Sequence, residues 1–194
     1  MSYRRKIEGD LEAAALAAAA GDRDAFAGLC SAIEGDVWRY CWAILGERDL
    51  ADEAAQETFV RAVTAIRRFR GDAPVKAWIC VIARRVCFDM LRRRPRIPTP
   101  VDPALAAFRS SPAPGDFVDS LMLLRSLDQD LRSAFVLTQL LGLSYAEAAD
   151  TAGVPVGTIR SRVHRARSLL ADAWLGHARV KDRSRLRNLW EEPS

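Results

Sequence analysis

The 194-residue sequence contains no run of 18 apolar residues and almost no strand signal. The first absence argues against a membrane-spanning helix, because crossing the hydrocarbon layer takes about 18 to 20 such residues. No alternating β-branched run and no Asn-Gly hairpin turn is present, so a β-sheet is not expected. The first ten residues, MSYRRKIEGD, also lack the apolar segment of a signal peptide. We therefore expect an all-α protein that stays in the cytoplasm, with no membrane insertion.

Cysteine and histidine are scarce, and their spacing matches no metal motif. The four cysteines (Cys30, Cys41, Cys80 and Cys87) lie in apolar helical contexts, which favours small buried thiols. Cys80 and Cys87 are seven residues apart on one predicted helix, so a redox or metal role for that pair stays open. No nucleophile–base set and no phosphate-binding loop is present. We expect no metal, no cofactor and no enzymatic activity.

The overall composition is that of a globular protein. Apolar residues make up 49% of the chain and charged residues 28%, which argues against disorder. The net charge of +4 is small. Basic residues can therefore act on an acidic partner only where they are concentrated locally, since charges are screened over about 10 Å.

Proline is concentrated in one segment: six of the nine prolines lie in residues 95–115. No helix tolerates that density, so this segment is predicted to be a semi-extended linker. It separates a predicted helical domain, residues 1–94, from a second one, residues 116–175. A basic tail, residues 176–194, follows; its pattern favours disorder, with an amphipathic helix as the alternative.

The strongest local pattern lies between Ser144 and Leu170. Ser144 and Glu147 form a capping box, in which each side chain accepts the backbone N–H of the other residue. After a short Ala-rich helix, Gly153 supplies a residue that can adopt positive φ. Pro155 suits the first turn of a second helix. Two helices joined by such a turn form a helix-turn-helix.

The second helix of this motif has one apolar and one polar face. The polar face presents donors suited to guanine edges and phosphates, without a carboxylate among them. An ordinary solvated basic face would look similar, but the cap, the turn and the leading helix together favour a DNA-reading helix. Arg162 lies near the edge of this face. Its central members are Arg160, Ser161, His164, Arg165 and Ser168.

A helix predicted over residues 49–69 begins acidic and ends basic. Its buried side is predicted to be Ala55, Phe59, Ala62, Val63 and Ile66. Matching to the helix macrodipole is sufficient to explain this charge distribution. Glu53, Glu57 and Arg61 nevertheless recur at four-residue spacing on the exposed face, beside Gln56. Dipole matching and a protein-docking surface therefore both stay open.

A loop over residues 69–75, interrupted by Gly71 and Pro74, leads into a helix predicted to end at Arg94. Its outer face places arginines around Phe88. Single-stranded nucleic acid could bind there, because the charges follow phosphates while rings stack on bases. The alternative is dipole matching by the terminal arginines plus a core phenylalanine.

The remaining helices are predicted as core elements. Residues 11–20 form a short helix, and Asp22 caps a longer one that Gly46 ends. After the linker, Asp128 caps a helix that Gly142 closes. The inward face of the long helix is predicted to be Phe26, Leu29, Ile33, Val37, Tyr40 and Ile44.

Three segments together resemble the extracytoplasmic-function (group four) sigma factors of bacterial RNA polymerase. DEAAQETFVRA, residues 52–62, is similar to the polymerase-binding signature of that family. FRGD at residues 69–72, together with AWI at 77–79 and IAR at 82–84, resembles its promoter-melting region. LGLSY at 141–145 and VPVGTIRSR at 154–162 resemble its region-four helix-turn-helix. The three motifs occur in the family order, with the linker between them.

The resemblance implies a promoter-specificity subunit that directs initiation at promoters with minus-ten and minus-thirty-five elements and aids their melting. Residues 1–94 would be region two and residues 116–175 region four. The implied partners are the RNA polymerase core (the clamp helices of its largest subunit and its beta flap), promoter DNA and an anti-sigma factor. Apart from these partners we expect a monomer.

The resemblance also assigns three sets of site residues. The polymerase-binding set is Asp52, Glu53, Gln56, Glu57, Thr58, Phe59 and Arg61. The minus-ten set is Phe69, Arg70, Gly71, Asp72, Ala73, Lys76, Trp78, Arg84, Arg85, Phe88 and Arg92. The minus-thirty-five set is Thr158, Arg160, Ser161, Arg162, His164, Arg165 and Ser168.

Two other functions are compatible with a helix-turn-helix. A DNA-binding regulator of the response-regulator type would carry it without polymerase docking, but its receiver domain needs alternating strands and helices around an acidic pocket, and the N-terminal half shows no such pattern. The second alternative is that the N-terminal domain serves only as a protein-interaction module.

Overall fold

The computed structural model describes residues 2–93 and 123–188, with side chains described for residues 9–93 and 123–173. These residues are helical and contain no strand, which confirms the all-α prediction. None of the described helices is long and apolar enough to cross a membrane. The helices are α1 Ser2–Ala19, α2 Arg23–Leu45, α3 Arg48–Ala65, α4 Val75–Arg93, α5 Gln129–Phe135, α6 Tyr145–Ala152 and α7 Val156–Asn188.

Predicted end signals fix several of these helices. The Asp22 side chain accepts the Ala25 N–H at 2.9 Å at the start of α2. Gly46 ends that helix at φ +76°, a conformation that costs glycine little because it has no Cβ. Asp128 caps α5 through the Asp130 N–H. A 3-10 turn, Ile66–Arg68, ends α3, and a π-helical turn, Val136–Leu140, continues α5.

The structure corrects three predictions. Helix α1 begins at Ser2 instead of residue 11, because the preceding Arg, Lys and Glu are good helix formers despite lacking apolar periodicity. Val63, predicted to be buried, is 51% exposed, since the buried stripe of α3 is narrow. The tail continues α7 to Asn188, although disorder was favoured. Extending an existing helix avoids the cost of nucleation.

Several predicted features lie outside the described residues. They are the last residue of the first domain (Arg94), the linker at 95–115, the start of the second domain (116–122) and the end of the tail (189–194).

Helix α2 is the centre of the core. It packs against α1, α3 and α4. Its predicted inward face is confirmed for Leu29, Ile33, Val37, Tyr40 and Ile44, each at most 2% exposed, while the predicted Phe26 is half-buried. Because this long central helix is apolar on several sides, it can support the two surface helices α3 and α4.

The segment after the linker packs directly on this core. Helix α6 contacts α4, and α5 contacts α2, so one apolar cluster runs through both parts of the chain. The Tyr40 hydroxyl and Ser133 Oγ lie 2.8 Å apart in a buried hydrogen bond. Burial raises the pKa of the Tyr40 hydroxyl well above its ordinary value. Nearby, Arg132 Nη1 donates to the Ile44 carbonyl at 2.9 Å.

Three of the four cysteines confirm the expectation of buried thiols, and the pair in contact is Cys41 with Cys87. Cys41, Cys80 and Cys87 are buried and Cys30 is half-buried; all four are free. Cys87 is hydrogen-bonded to Cys41 on α2, which raises the pKa of Cys87, and burial raises it further. Burial also raises the pKa of Cys80 to about 12. Thiolates are the reactive form, so the raised pKa values make the Cys80 and Cys87 thiols less reactive, while Cys41 is shielded by its burial.

Alkylation should therefore separate the thiols. With iodoacetamide at mildly alkaline pH, we expect Cys30 to be labelled first and the other three only after unfolding, because all three are buried and the pKa values of Cys80 and Cys87 are raised. Mass spectrometry of peptides from native and denatured protein measures this order. Labelling of Cys80 or Cys87 in native protein as fast as Cys30 would contradict the expectation.

Candidate protein and nucleic-acid interfaces

The helix-turn-helix has the local geometry that its sequence predicts. Ser144 Oγ accepts the Glu147 N–H at 3.2 Å, and Glu147 Oε2 accepts the Ser144 N–H at 2.6 Å, which completes the capping box. Gly153 ends α6 at φ +67°. The Pro155 carbonyl accepts the first N–H groups of α7, from Thr158 and Ile159. The turn therefore fixes the direction in which α7 leaves α6.

The two faces of α7 separate as predicted. Ile159, Val163 and Ala166 are at most 1% exposed and hold the helix on α5 and α6. Thr158 is half-buried. Within the described side chains neither Arg160 nor Arg165 has a carboxylate partner, so both guanidinium groups are available. The solvent-exposed members of the predicted set are Arg160, Ser161, His164, Arg165 and Ser168.

Arg162, at the edge of this face, is already engaged. Its Nη2 lies 2.5 Å from Asp130 Oδ2, and the other oxygen of that carboxylate lies 3.6 Å from Arg84 Nη2. Asp130 thus joins α7 to α4 through two arginines. DNA contact by Arg162 would require this ion pair to break.

The predicted minus-ten surface on α4 divides into two parts. Arg85 and Arg92 are exposed, and Arg92 pairs with Asp89 on its own helix. The Arg84 guanidinium lies 4.1 Å from the centre of the Phe88 ring, and only 19% of the Arg84 side chain is exposed. The ring therefore packs beneath an arginine, against the core, instead of standing free beside it.

The loop after α3 presents an exposed segment between two buried ends. Phe69 is 7% exposed and packs edge-to-face on Trp78, with ring centres 5.5 Å apart. Val75 is fully buried at the other end. Gly71 adopts φ +77°, which favours glycine at this turn. The exposed members of the predicted set are Arg70, Gly71, Asp72 and Ala73.

Lys76, beside this loop, is held by a carboxylate. Its Nζ lies 2.5 Å from Asp36 Oδ2, and Asp36 also pairs with Arg39. Partial burial alone would raise the pKa of the Asp36 carboxyl, but hydrogen bonds from Lys76 and Arg39 lower it more, so the carboxyl stays ionised. The ion pair ties the start of α4 to α2.

The predicted protein-docking surface on α3 is largely open. Asp52, Glu53 and Gln56 are exposed, and Glu57 and Phe59 are half-buried. Thr58 is fully buried, where its hydroxyl donates to the Ala54 carbonyl at 2.7 Å. Thr58 can therefore support this surface but cannot touch a partner that docks on it.

Arg61 connects this surface to α4. Its Nε donates to Glu57 Oε1 at 2.7 Å, and its Nη1 lies 3.5 Å from Asp89 Oδ2. A groove of about 360 Å³ lies between the two helices here, lined by Glu53, Gln56, Glu57, Val60, Arg61, Val86, Asp89, Met90 and Arg93.

Two residues that the sequence pattern did not single out belong to the same surface. Trp38 of α2 donates from Nε1 to Asp52 Oδ1 at 2.6 Å and lines a second groove, of about 490 Å³, on the other side of Gln56. Val60 lines the first groove and is 59% exposed. Nothing in the sequence of α3 points to Trp38, which lies 14 positions before its partner Asp52.

No group of three or more His, Cys, Asp or Glu side chains that could hold a metal ion occurs among the described residues. Three candidate surfaces are exposed: the predicted docking face on α3, the loop before α4 and the donor-rich face on α7.

Comparison with known proteins decides the family. The model of Sigma-70 region 2 matches residues 29–97, and that of Sigma-70 region 4 matches residues 121–170. The sigma factor SigC of Mycobacterium tuberculosis is 45% identical over 167 residues, which cover 83% of this chain and 90% of SigC. The chain belongs to the extracytoplasmic-function sigma factors. The resemblance found in its motifs is thereby confirmed.

Solved structures agree with this assignment. CnrH, in complex with the cytosolic domain of CnrY, superposes with a TM-score of 0.70 at 26% identity, over 86% of this sigma factor and 98% of CnrH. The sigma factor RpoE of Bartonella quintana, in complex with the anti-sigma factor NepR, superposes with a TM-score of 0.64 at 24% identity, over 76% of this chain and 94% of RpoE. At that identity the match supports the fold alone. This chain is accordingly a factor for promoter-specific transcription initiation.

Proposed function

We propose that this sigma factor binds core RNA polymerase through α3 and reads a minus-ten element with the loop before α4 and a minus-thirty-five element with α7. The exposed donor-rich face of α7 from Arg160 to Ser168, a stretch that contains no carboxylate, carries the proposal. Under this proposal, residues 1–94 act as region two and residues 116–175 act as region four. The chain supplies no catalytic group; it directs the polymerase to chosen promoters.

The α3 surface is suited to the clamp helices of the largest polymerase subunit. It combines exposed acidic and amide side chains with the apolar Val60, bordered by the two grooves. A helix pair of a partner can lay side chains into such grooves, while a central aliphatic residue is desolvated. Region four would in addition contact the beta flap.

The loop at residues 69–75 is suited to receive an unpaired base. Its exposed middle is held between two buried ends, so it can present backbone groups and Asp72 in a fixed arrangement. Extracting a base from the duplex costs a few kcal/mol, which stacking and edge contacts recover. Arg85 and Arg92 can then follow the phosphates along α4.

The face of α7 is suited to the major groove, which admits an α-helix and displays a distinct donor and acceptor pattern for each base pair. Arg160 and Arg165 supply two planar guanidinium groups on this face. Arginine recognises the O6 and N7 atoms of guanine through two hydrogen bonds at once. These two residues are the proposed specificity determinants.

An anti-sigma factor is the other proposed partner. CnrH is bound to the cytosolic domain of CnrY in its solved structure, and we infer that this sigma factor is likewise bound by a protein that covers one or both DNA-reading surfaces. Apart from such partners we propose a monomer, which acts in the cytoplasm where polymerase and promoter meet.

Run-off transcription tests the proposal. Core polymerase is mixed with the full chain and with fragments of its own genome, and transcripts are mapped. We expect discrete start sites that share sequence near positions minus ten and minus thirty-five. Transcripts that do not differ from those of core enzyme alone would overturn the proposal.

The substitution Arg165→Ala should cost about 1–3 kcal/mol in binding of the polymerase complex to its promoter and relax the preference at one base pair. The physical reason is the loss of two hydrogen bonds to one base edge. Affinity for a set of singly substituted promoters measures this, with Arg167→Ala, on the neighbouring side of α7, as the control. An equal loss on every sequence would make Arg165 a phosphate contact instead.

A further inference from the structure

Helix α1 holds in place the loop that is proposed to receive the minus-ten base. This helix belongs to neither of the two segments, the loop and α4, that are proposed to bind the minus-ten element. We propose that Glu12 of α1 is a positioning residue for this loop. The proposal deepens the minus-ten function proposed above and rests on it. Its basis is one long-range hydrogen bond and the packing around it.

Glu12 Oε1 accepts the Val75 N–H at 2.7 Å, across 63 positions of sequence. Val75 is the first residue of α4 and is fully buried. The first N–H groups of a helix have no acceptor within the helix, so a carboxylate there satisfies a donor that would otherwise be orphaned. Its negative charge is also favourable at a helix N-terminus.

Helix α1 supports the loop at a second point. Leu16 of α1 and Gly71 of the loop line the same cavity, so α1 lies beside the bend of the loop. Helix α1 also packs against the Ile66–Arg68 turn where the loop begins. The loop is thus held by the Phe69–Trp78 stack at its start and by Glu12 at its end, and Leu16 lies beside its bend.

The same residues line an open cavity of about 430 Å³. One wall is α1 with Leu11, Glu12 and Leu16, and the opposite wall is the loop from Gly71 to Lys76. The turn at residues 141–143 closes one side. Movement of the loop relative to α1 would therefore change the space into which its exposed residues project.

A loop that binds a single base needs its groups fixed to within about 0.5 Å, which neighbouring side chains must enforce. The segment from Arg70 to Ala73 is exposed, so its position depends on the anchors at its two ends. Without the Glu12 acceptor, the Val75 N–H is left buried and unpaired, and the end of the loop can shift to reach water. Base discrimination should fall while the polymerase-docking face on α3 is unchanged.

Three variants separate this role from a general effect on folding. Glu12→Ala removes the acceptor. Glu12→Gln keeps a carbonyl oxygen at the same reach, so it should rescue. Asp10→Ala removes an exposed carboxylate of the same helix and is the matched control.

The test uses the full chain assembled with core polymerase. Single-round transcription is measured on the cognate promoter and on a promoter substituted at the minus-ten base, together with core affinity and exchange of the Val75 amide proton. We expect Glu12→Ala to lower the ratio of the two transcripts by roughly fivefold or more and to speed amide exchange, with unchanged core affinity. Glu12→Gln and Asp10→Ala should behave as wild type.

Several results would overturn the proposal: an unchanged ratio for Glu12→Ala, a loss in Glu12→Gln as large as in Glu12→Ala, or a parallel loss of core affinity, which indicates a folding role. If Glu12→Ala does not fold, Glu12→Asp, which keeps the charge but is one methylene shorter, must show the lower ratio in its place. A wild-type chain that does not discriminate between the two promoters would instead refute the minus-ten function itself.

Discussion

Arg132→Ala is expected to lower the free energy of unfolding by about 2–4 kcal/mol. Arg132 donates to three carbonyls: that of Ile44 at 2.9 Å, that of Leu127 at 2.9 Å and that of Arg125 at 3.1 Å. Burial lowers the pKa of Arg132, followed by the charge of Arg125, yet the group stays charged at neutral pH because arginine titrates far above it. Alanine would leave all three carbonyls without this donor, and one of them belongs to the C-terminus of α2.

Urea denaturation of the full chain measures this loss. Arg39→Ala is the matched control, since Arg39 is exposed and pairs only with Asp36 of its own helix. Exposed pairs of this kind contribute about 0–1 kcal/mol. Arg132→Lys should fall near the alanine variant, because a single ammonium cannot reach all three carbonyls. A stability of Arg132→Ala close to that of the Arg39 variant would show that water replaces the guanidinium at little cost.

The double substitution Gln56→Ala and Arg61→Ala is expected to weaken binding to core polymerase by about 2–4 kcal/mol. Gln56 is exposed between the two grooves beside α3, and Arg61 borders one of them through Glu57 and Asp89. Central polar residues of an interface are the ones that cost most when truncated, because the groups that face them are left unpaired. Titration of labelled chain with core enzyme measures the dissociation constant.

Arg165→Ala provides the control in the opposite direction. The Arg165 variant should lose affinity for the promoter and retain wild-type affinity for core enzyme. The double variant should lose affinity for core enzyme and retain the thermal unfolding temperature of the wild type. Wild-type core affinity of the double variant would remove α3 from the proposed interface. Loss of core affinity in both variants would mean that the two surfaces are not independent.

Local signals were sufficient to predict the helix-turn-helix. The capping box of Ser144 and Glu147, the left-handed Gly153 and the apolar spacing of Ile159 and Val163 each act within a few residues. Local hydrogen bonds and helical periodicity depend on sequence neighbours only, so both helices and the faces of α7 could be read from the sequence. The same holds for the cap at Asp22.

Contacts between distant segments could not be predicted in this way. Asp130 binds both Arg84 and Arg162. The sequence predicts nucleic-acid contacts for both of these arginines. Helical spacing put Cys80 together with Cys87, but the three-dimensional packing of α2 on α4 brings Cys41 to Cys87. The role of Glu12 likewise depends on a helix packing that no local pattern encodes.

The direct packing of α4 against α6 has a further consequence under the proposed function. Promoter elements centred near positions minus ten and minus thirty-five are about 25 base pairs apart, roughly 85 Å of B-form DNA. Helices in contact cannot reach both, so the hydrogen bonds of Tyr40 and Arg132 across the boundary must open first. Substitutions that loosen this boundary should shift two measured quantities in opposite directions: the melting temperature falls, while the apparent affinity for a two-element promoter rises.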